Sequence, residues 1–161
     1  MIHLALASDT LSQTSQASSA GYEPLRDTAA SLMRICGRVQ AGVGDASKWL
    51  RLFSEAYEKK TGRPIFPGSL NLDLGASFDW HAPYVAERHI WFDRSEMGSE
   101  RDVLLVPCVL ENLSDQPAFL WSTTNATRNR ADPWVVELIC EVGLRETYGL
   151  ADGDEVSVSI L

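Results

Sequence analysis

Three short segments of this chain carry residue types suited to holding phosphate and a divalent cation. The first is Gly42-Val43-Gly44-Asp45-Ala46-Ser47, followed by Lys48. It lies between a strand-like run and a helix-like run, where freed backbone N–H groups and the helix dipole can cradle anionic oxygens. It lacks the lysine of a P-loop and the third glycine of a dinucleotide fingerprint, so a plain strand-to-helix turn is the other reading. The second is Pro67-Gly68-Ser69-Leu70-Asn71. Side chains two apart on a strand share a face, so the Ser69 hydroxyl and the Asn71 amide stand side by side. Two hard oxygen donors of this kind suit Mg²⁺, which leaves the rest of its shell to water and phosphates. The same spacing also describes a polar strand face behind Leu70, Leu72 and Leu74. The third runs from Gly143-Leu144-Arg145-Glu146 to Gly153-Asp154-Glu155-Val156, a turn, short helix, tight turn and strand in which Arg145 is the one group that hints at an anion site. Glu137, within the apolar run Trp134 to Val142, is either on a solvated strand face or placed to accept a hydrogen bond from a ligand. His3, His81 and His89 show no metal-ligand spacing, and no nucleophile signature with a Ser, His and Asp set is present.

These residues need a scaffold, and the punctuation of the chain predicts one that is mainly β with short helices. Ile35 to Gln40 reads as a first strand. From Lys48 to Thr61, Trp49, Leu52, Phe53, Ala56 and Tyr57 recur at steps of three and four, which predicts one amphipathic helix ended by Gly62 and Pro64. Leu70, Leu72 and Leu74 alternate with Asn71 and Asp73, the period of a strand covering a core with one face. Val103 to Leu110, Ala118 to Ser122, Trp134 to Val142 and Glu155 to Leu161 read as further strands. Leu144 to Tyr148 reads as a helical turn, and Asp152-Gly153-Asp154 as a tight turn. Residues 76 to 102 have no clean period.

Ahead of this lie residues 1 to 34. Ser8 to Ala20 is so rich in Ser, Thr, Gln and Ala that it reads as a flexible arm, and Tyr22 to Arg34 has loosely helical spacing. One domain over residues 35 to 161 is the expected organisation. The chain has 161 residues, 45% of them hydrophobic and five of them Trp, enough apolar material for one core. A formal charge of −8 argues against nucleic acid as a partner, because such binding draws on clustered Lys and Arg. Cys36, Cys108 and Cys140 stand far apart, with no zinc-ligand spacing and no even disulfide set, and are expected to be reduced. No run approaches the ~18 apolar residues of a membrane span. A cytoplasmic protein acting on small molecules is expected.

Taken together and in this order, the Gly-x-Gly loop with its helix, Pro67-Gly68-Ser69-Leu70-Asn71, and Leu144-Arg145-Glu146 with Gly149-Leu150-Ala151-Asp152-Gly153-Asp154 resemble the CTP-dependent riboflavin kinases of archaea. Their pattern is a Gly-x-Gly loop, a helix, Pro-Gly-Thr-Leu-Asn, then Leu-Arg-Glu and Gly-Leu-x-x-Gly-Asp. The resemblance runs from about Gly37 to the C-terminus. It implies a six-stranded cradle-loop β-barrel, related to the RIFT barrels, in which CTP phosphorylates the 5′-hydroxyl of riboflavin with Mg²⁺ assisting. Carried over by position, Val43, Gly44, Asp45, Ala46, Ser47 and Lys48 would contact the nucleotide, as would Val142, Gly143, Leu144 and Arg145. Ser69 and Asn71 would be the metal ligands. Glu137 would contact the flavin, together with a Thr for which Thr124 and Thr127 compete. Two departures stand out: Ser69 replaces the usual Thr, and Ala46 stands where another Gly is common. A nucleotide- or flavin-binding regulatory module, or a kinase with another hydroxylated acceptor, are the alternatives. A swapped-hairpin DNA-binding protein, which shares the Gly-Leu and Gly-Asp run, is disfavoured by the acidic charge.

Overall fold

A computed structural model describes residues 33–42, 44–123 and 134–161. The strands are β1 (Met33–Gln40), β2 (Leu70–Asp73), β3 (Ile90–Phe92), β4 (Val103–Leu110), β5 (Gln116–Thr123), β6 (Val135–Ile139) and β7 (Glu155–Ile160). The helices are α1 (Ala46–Leu52), α2 (Ser54–Thr61), α3 (Pro83–Ala86), α4 (Arg94–Met97) and α5 (Leu144–Tyr148). All strand pairs are antiparallel, in the order β3-β4-β5-β6-β2-β1-β7, and a further pairing of β4 with β7 closes six of them into a barrel. The expected six-stranded barrel is therefore present, with β3 added outside it along the first half of β4. The neighbour of β4 changes from β3 at Val103–Leu105 to β7 at Cys108–Leu110. Pro107, which has no N–H to donate, falls in the gap between the two.

The alternation of each strand decides what faces inward. Leu70 and Leu72, Val106 and Cys108, Ala118 and Leu120, Val136 and Leu138, and Val156, Val158 and Ile160 fill the barrel. On β4, β5 and β6 most of the intervening residues are apolar too, Glu137 being the chief exception. Val103, Leu105, Phe119, Trp121 and Ile139 form a second layer outside the barrel wall, together with Leu50 of α1, Tyr57 of α2 and Phe92 of β3. Burial on both faces is why these strands read as continuous apolar runs, whereas β2 and β7 alternate. Inside the second layer the Trp121 indole N–H donates to the Tyr57 hydroxyl at 3.0 Å. Burial pushes the Tyr57 hydroxyl up to about 12.

The helix expected over Lys48 to Thr61 is two helices. Phe53, at φ −109° and ψ 19°, interrupts it, and the chain bends there while Leu50 and Tyr57 both stay on the apolar layer. Trp49 and Phe53 stack at the bend, with ring centroids 6.1 Å apart. Strand β1 begins at Met33, so the last two residues of the helix expected over Tyr22 to Arg34 are strand; the remainder, and the expected arm, lie outside the described residues. Strand β6 ends at Ile139 rather than Val142, because the chain turns there toward α5. The unplaced stretch 76 to 102 holds α3, β3 and α4, each of three or four residues. Cys108 and Cys140 are buried and Cys36 is exposed, all three as free thiols.

Candidate functional site

The register of β1, β2, β6 and β5 brings the sequence segments together. Gln40 pairs with Asn71, Asn71 with Glu137, and Glu137 with Trp121. Cross-strand partners project from the same face. This row therefore crosses the outside of the barrel, apolar at Trp121 and polar at Glu137 and Asn71. Ser69, two residues before Asn71, joins the same patch, and its hydroxyl donates to Glu137 Oε2 at 3.0 Å. Glu137 is half-buried, so it is not on a fully solvated strand face, and the donor it meets in the structure is Ser69.

The glycine loop reaches the same patch. Gly42 follows the end of β1 and lies against the Asn71 amide so closely that a Cβ built there would stand 2.8 Å from Nδ2. Gly44, Asp45, Ala46, Ser47 and Lys48 then carry the chain into α1. Asp45 precedes the helix with no side-chain cap, and the Ser47 hydroxyl donates to the Gly44 carbonyl at 3.3 Å. The Ala46 methyl packs against the outer apolar layer. Lys48 is exposed, its Nζ 5.4 Å from the centre of the Trp49 ring. Val43, Thr124 and Thr127 lie outside the described residues.

Val142, Gly143, Leu144 and Arg145 line a cleft of about 140 Å³, with Phe66, Ser69 and Cys140 on its other walls. Leu144 is buried in the barrel core and anchors this wall. The Arg145 guanidinium donates from Nη2 to the Gln40 carbonyl at 2.9 Å and to Asp152 Oδ1 at 2.6 Å. It therefore ties the start of the glycine loop to the tight turn. That turn is itself pinned to β1, because Val39 N–H donates to the Asp154 carbonyl and Gly153 N–H to the Val39 carbonyl, both at 2.8 Å. Asp152-Gly153-Asp154 thus does more than reverse the chain: it holds Arg145 in place.

Sequence reasoning passed over Phe66. Its N–H donates to the Cys140 carbonyl at 2.7 Å, and its ring packs against two glycines: a Cβ at Gly68 or at Gly143 would meet the ring at 2.8 and 3.0 Å. The signal was present as an aromatic two residues before a glycine, paired with a second glycine far along the chain. The Cys140 thiol in the cleft wall donates to the Val142 carbonyl at 3.2 Å, and burial pushes it up from the ordinary thiol range, so it is no nucleophile.

The donor set fits a hard, phosphate-seeking cation. A hydroxyl and an amide oxygen share one face with a carboxyl group beside them, and among the described residues no cluster of three or more His, Cys, Asp and Glu forms a self-sufficient cage. Such a set suits Mg²⁺ that takes most of its ligands from phosphate and water. Among the described residues no helix is long and apolar enough to cross a membrane.

The chain is similar in sequence to known riboflavin kinases. A curated riboflavin kinase of Staphylothermus marinus is 28% identical over 131 residues, covering 80% of this chain and 92% of that protein. Riboflavin kinases of Methanospirillum hungatei and Methanocella arvoryzae are 29% and 28% identical over 81% and 83% of this chain, which spans only 58% and 59% of their own lengths. The sequence model of the CTP-dependent riboflavin kinase domain, also described as domain of unknown function DUF120, matches residues 39–160. That match begins inside β1 and ends on the last residue of β7, so it takes in nearly the whole closed barrel and each described segment of the cleft, and the chain belongs to the CTP-dependent riboflavin kinase family.

Proposed function

We propose that this domain is a phosphotransferase that moves the γ-phosphate of CTP to the 5′-hydroxyl of riboflavin, giving FMN and CDP, in the cytoplasm. The observation that carries the reading is the convergence of Ser69, Asn71 and Glu137 on one face, with the glycine loop against Asn71 and with Ser69 sharing a cleft with Val142 to Arg145. Phosphoryl transfer asks chiefly for positioning and neutralisation of charge, and needs no covalent residue.

In this reading Gly44 to Lys48 and Val142 to Arg145 hold the nucleotide from two sides. Val43 and one of Thr124 and Thr127 complete the nucleotide and flavin contacts. Arg145 keeps the two sides in register through Gln40 and Asp152 while its charge faces the phosphates. Ser69 and Asn71 hold Mg²⁺, which when bound neutralises phosphate charge. Glu137 accepts from the flavin side and orients the incoming alcohol. Phe66, wedged between Gly68 and Gly143, sets the width of the cleft.

The test is to incubate the purified protein with riboflavin and Mg²⁺, with CTP or with ATP, and to separate the flavins by chromatography. FMN is expected with CTP and is lost in Asn71→Ala. Absence of FMN with both nucleotides, while CTP still raises the melting temperature, refutes the acceptor and leaves a nucleotide-binding module or another alcohol.

A further inference from the structure

The hydrogen bond between Ser69 and Glu137 links two residues to which the proposed function gives separate tasks, one toward a cation and one toward the acceptor. A serine hydroxyl has one proton and two lone pairs. In the structure the proton goes to Glu137 Oε2, at 3.0 Å. With its proton so committed, the oxygen presents its lone pairs away from the carboxyl group, as an acceptor must toward a cation. Serine also lacks the second Cβ substituent that restricts χ1 in a β-branched residue. The bond to Glu137 therefore supplies a restraint on the Ser69 rotamer that β-branching does not.

Both ends of this bond are on rigid elements. Glu137 is the central residue of β6, directly opposite Asn71 in the β2 register, and Ser69 immediately precedes β2. The flanking Leu70, Leu72, Val136 and Leu138 are all buried in the barrel. A carboxyl group held this firmly acts on its neighbour's geometry as a partner behind a metal ligand does. Removing such partners typically costs about 10- to 100-fold in metal affinity.

We infer that Glu137 is a positioning residue for the cation site: it fixes the Ser69 hydroxyl with its proton turned inward, so that Ser69 and Asn71 offer their oxygens together. This rests on the phosphotransferase reading above. One carboxyl group then serves both halves of the site.

The experiment measures Mn²⁺ affinity in the presence of CDP, from the electron paramagnetic resonance of free Mn²⁺, for the wild type, Glu137→Gln, Glu137→Ala, Ser69→Ala and the Ser69→Ala/Glu137→Ala double variant. Thermal melting of each confirms the fold. The Gln carbonyl still accepts the Ser69 proton but carries no charge, so Glu137→Gln is expected within about threefold of the wild type. Glu137→Ala and Ser69→Ala are each expected to weaken Mn²⁺ binding roughly tenfold, and the double variant no further than the worse single one, because both cut the same link. Equal losses in Glu137→Gln and Glu137→Ala, losses that multiply in the double variant, or wild-type affinity in Glu137→Ala would each overturn the inference. FMN formation by the wild type separates the levels. If it makes FMN and binds Mn²⁺ but shows one of those patterns, only the positioning role fails. If it neither makes FMN nor binds Mn²⁺ with CDP, the phosphotransferase reading fails and the positioning role fails with it.

Discussion

Replacing Gly42 with alanine separates the chemistry from the fold. Gly42 is exposed and its backbone lies outside the left-handed region, so alanine is conformationally acceptable there. The added methyl nevertheless stands 2.8 Å from Asn71 Nδ2 and 3.3 Å from its Cγ. Ordinary contact is at roughly 3.5 Å, so the amide must retreat by about 0.7 Å. The amide is the free end of a half-buried side chain and can move without disturbing the barrel. Stability should therefore change by no more than about 1 kcal/mol, with a small gain from the stiffer unfolded chain. Catalysis should respond far more, because a misplacement near 1 Å can cost about a hundredfold. Initial rates of FMN formation with saturating CTP and riboflavin should fall by roughly 10- to 100-fold, with the melting temperature nearly unchanged. A variant with wild-type rate and wild-type melting would show that the position of the Asn71 amide is irrelevant to the reaction. A variant that loses activity only in proportion to a lower melting temperature would refute the separation.

Two further perturbations follow from other parts of the structure. Tyr57→Phe leaves the Trp121 indole without its acceptor and should cost about 1–3 kcal/mol in urea unfolding. The same variant has a pH signature. The folded state holds the Tyr57 hydroxyl neutral up to about 12 while the unfolded chain releases the proton near 10. The wild type should thus lose an extra ~2–3 kcal/mol between pH 10 and 12 that Tyr57→Phe does not lose, and parallel pH profiles would contradict this. Arg145→Lys keeps a charge but cannot span the Gln40 carbonyl and Asp152 with one planar group. Calorimetric titration with CDP should show binding weaker by about 1 kcal/mol, roughly fivefold, and unchanged affinity would remove Arg145 from the nucleotide site.

The parts of the fold legible in the sequence are those where one period runs long enough to be seen. Leu70 to Leu74 and Glu155 to Leu161 alternate cleanly, and Val103 to Leu110 is unbroken because both its faces are covered. The stretch 76 to 102 was not legible, since elements of three or four residues complete no period. Its only marks are local, such as Asp93 accepting from Ser95 N–H at 2.8 Å and Gly98 closing the turn of α4. The bend at Phe53 is invisible to a pattern that continues across it. At the site, residue types were readable and partnerships were not. Ser69 and Asn71 stand two apart in the chain, whereas Glu137 joins them only through the pairing of β2 with β6, and Arg145 reaches Gln40 across 105 residues.

Closing a sheet into a cylinder removes the loose strand edges along which proteins stick to one another, but β3 is added outside the closure. Among the described residues it has one hydrogen-bonded neighbour, β4. Its central carbonyl, at Trp91, accepts instead from the ammonium group of Lys60, which also pairs with Glu96 at 3.1 Å and sits 4.8 Å from the centre of the Phe92 ring. A cation seated on that carbonyl takes the acceptor an incoming strand would need and sets a charge in its path. The second helix after the glycine loop, α2, thereby shields the outer edge of β3 through Lys60, the residue next to its last.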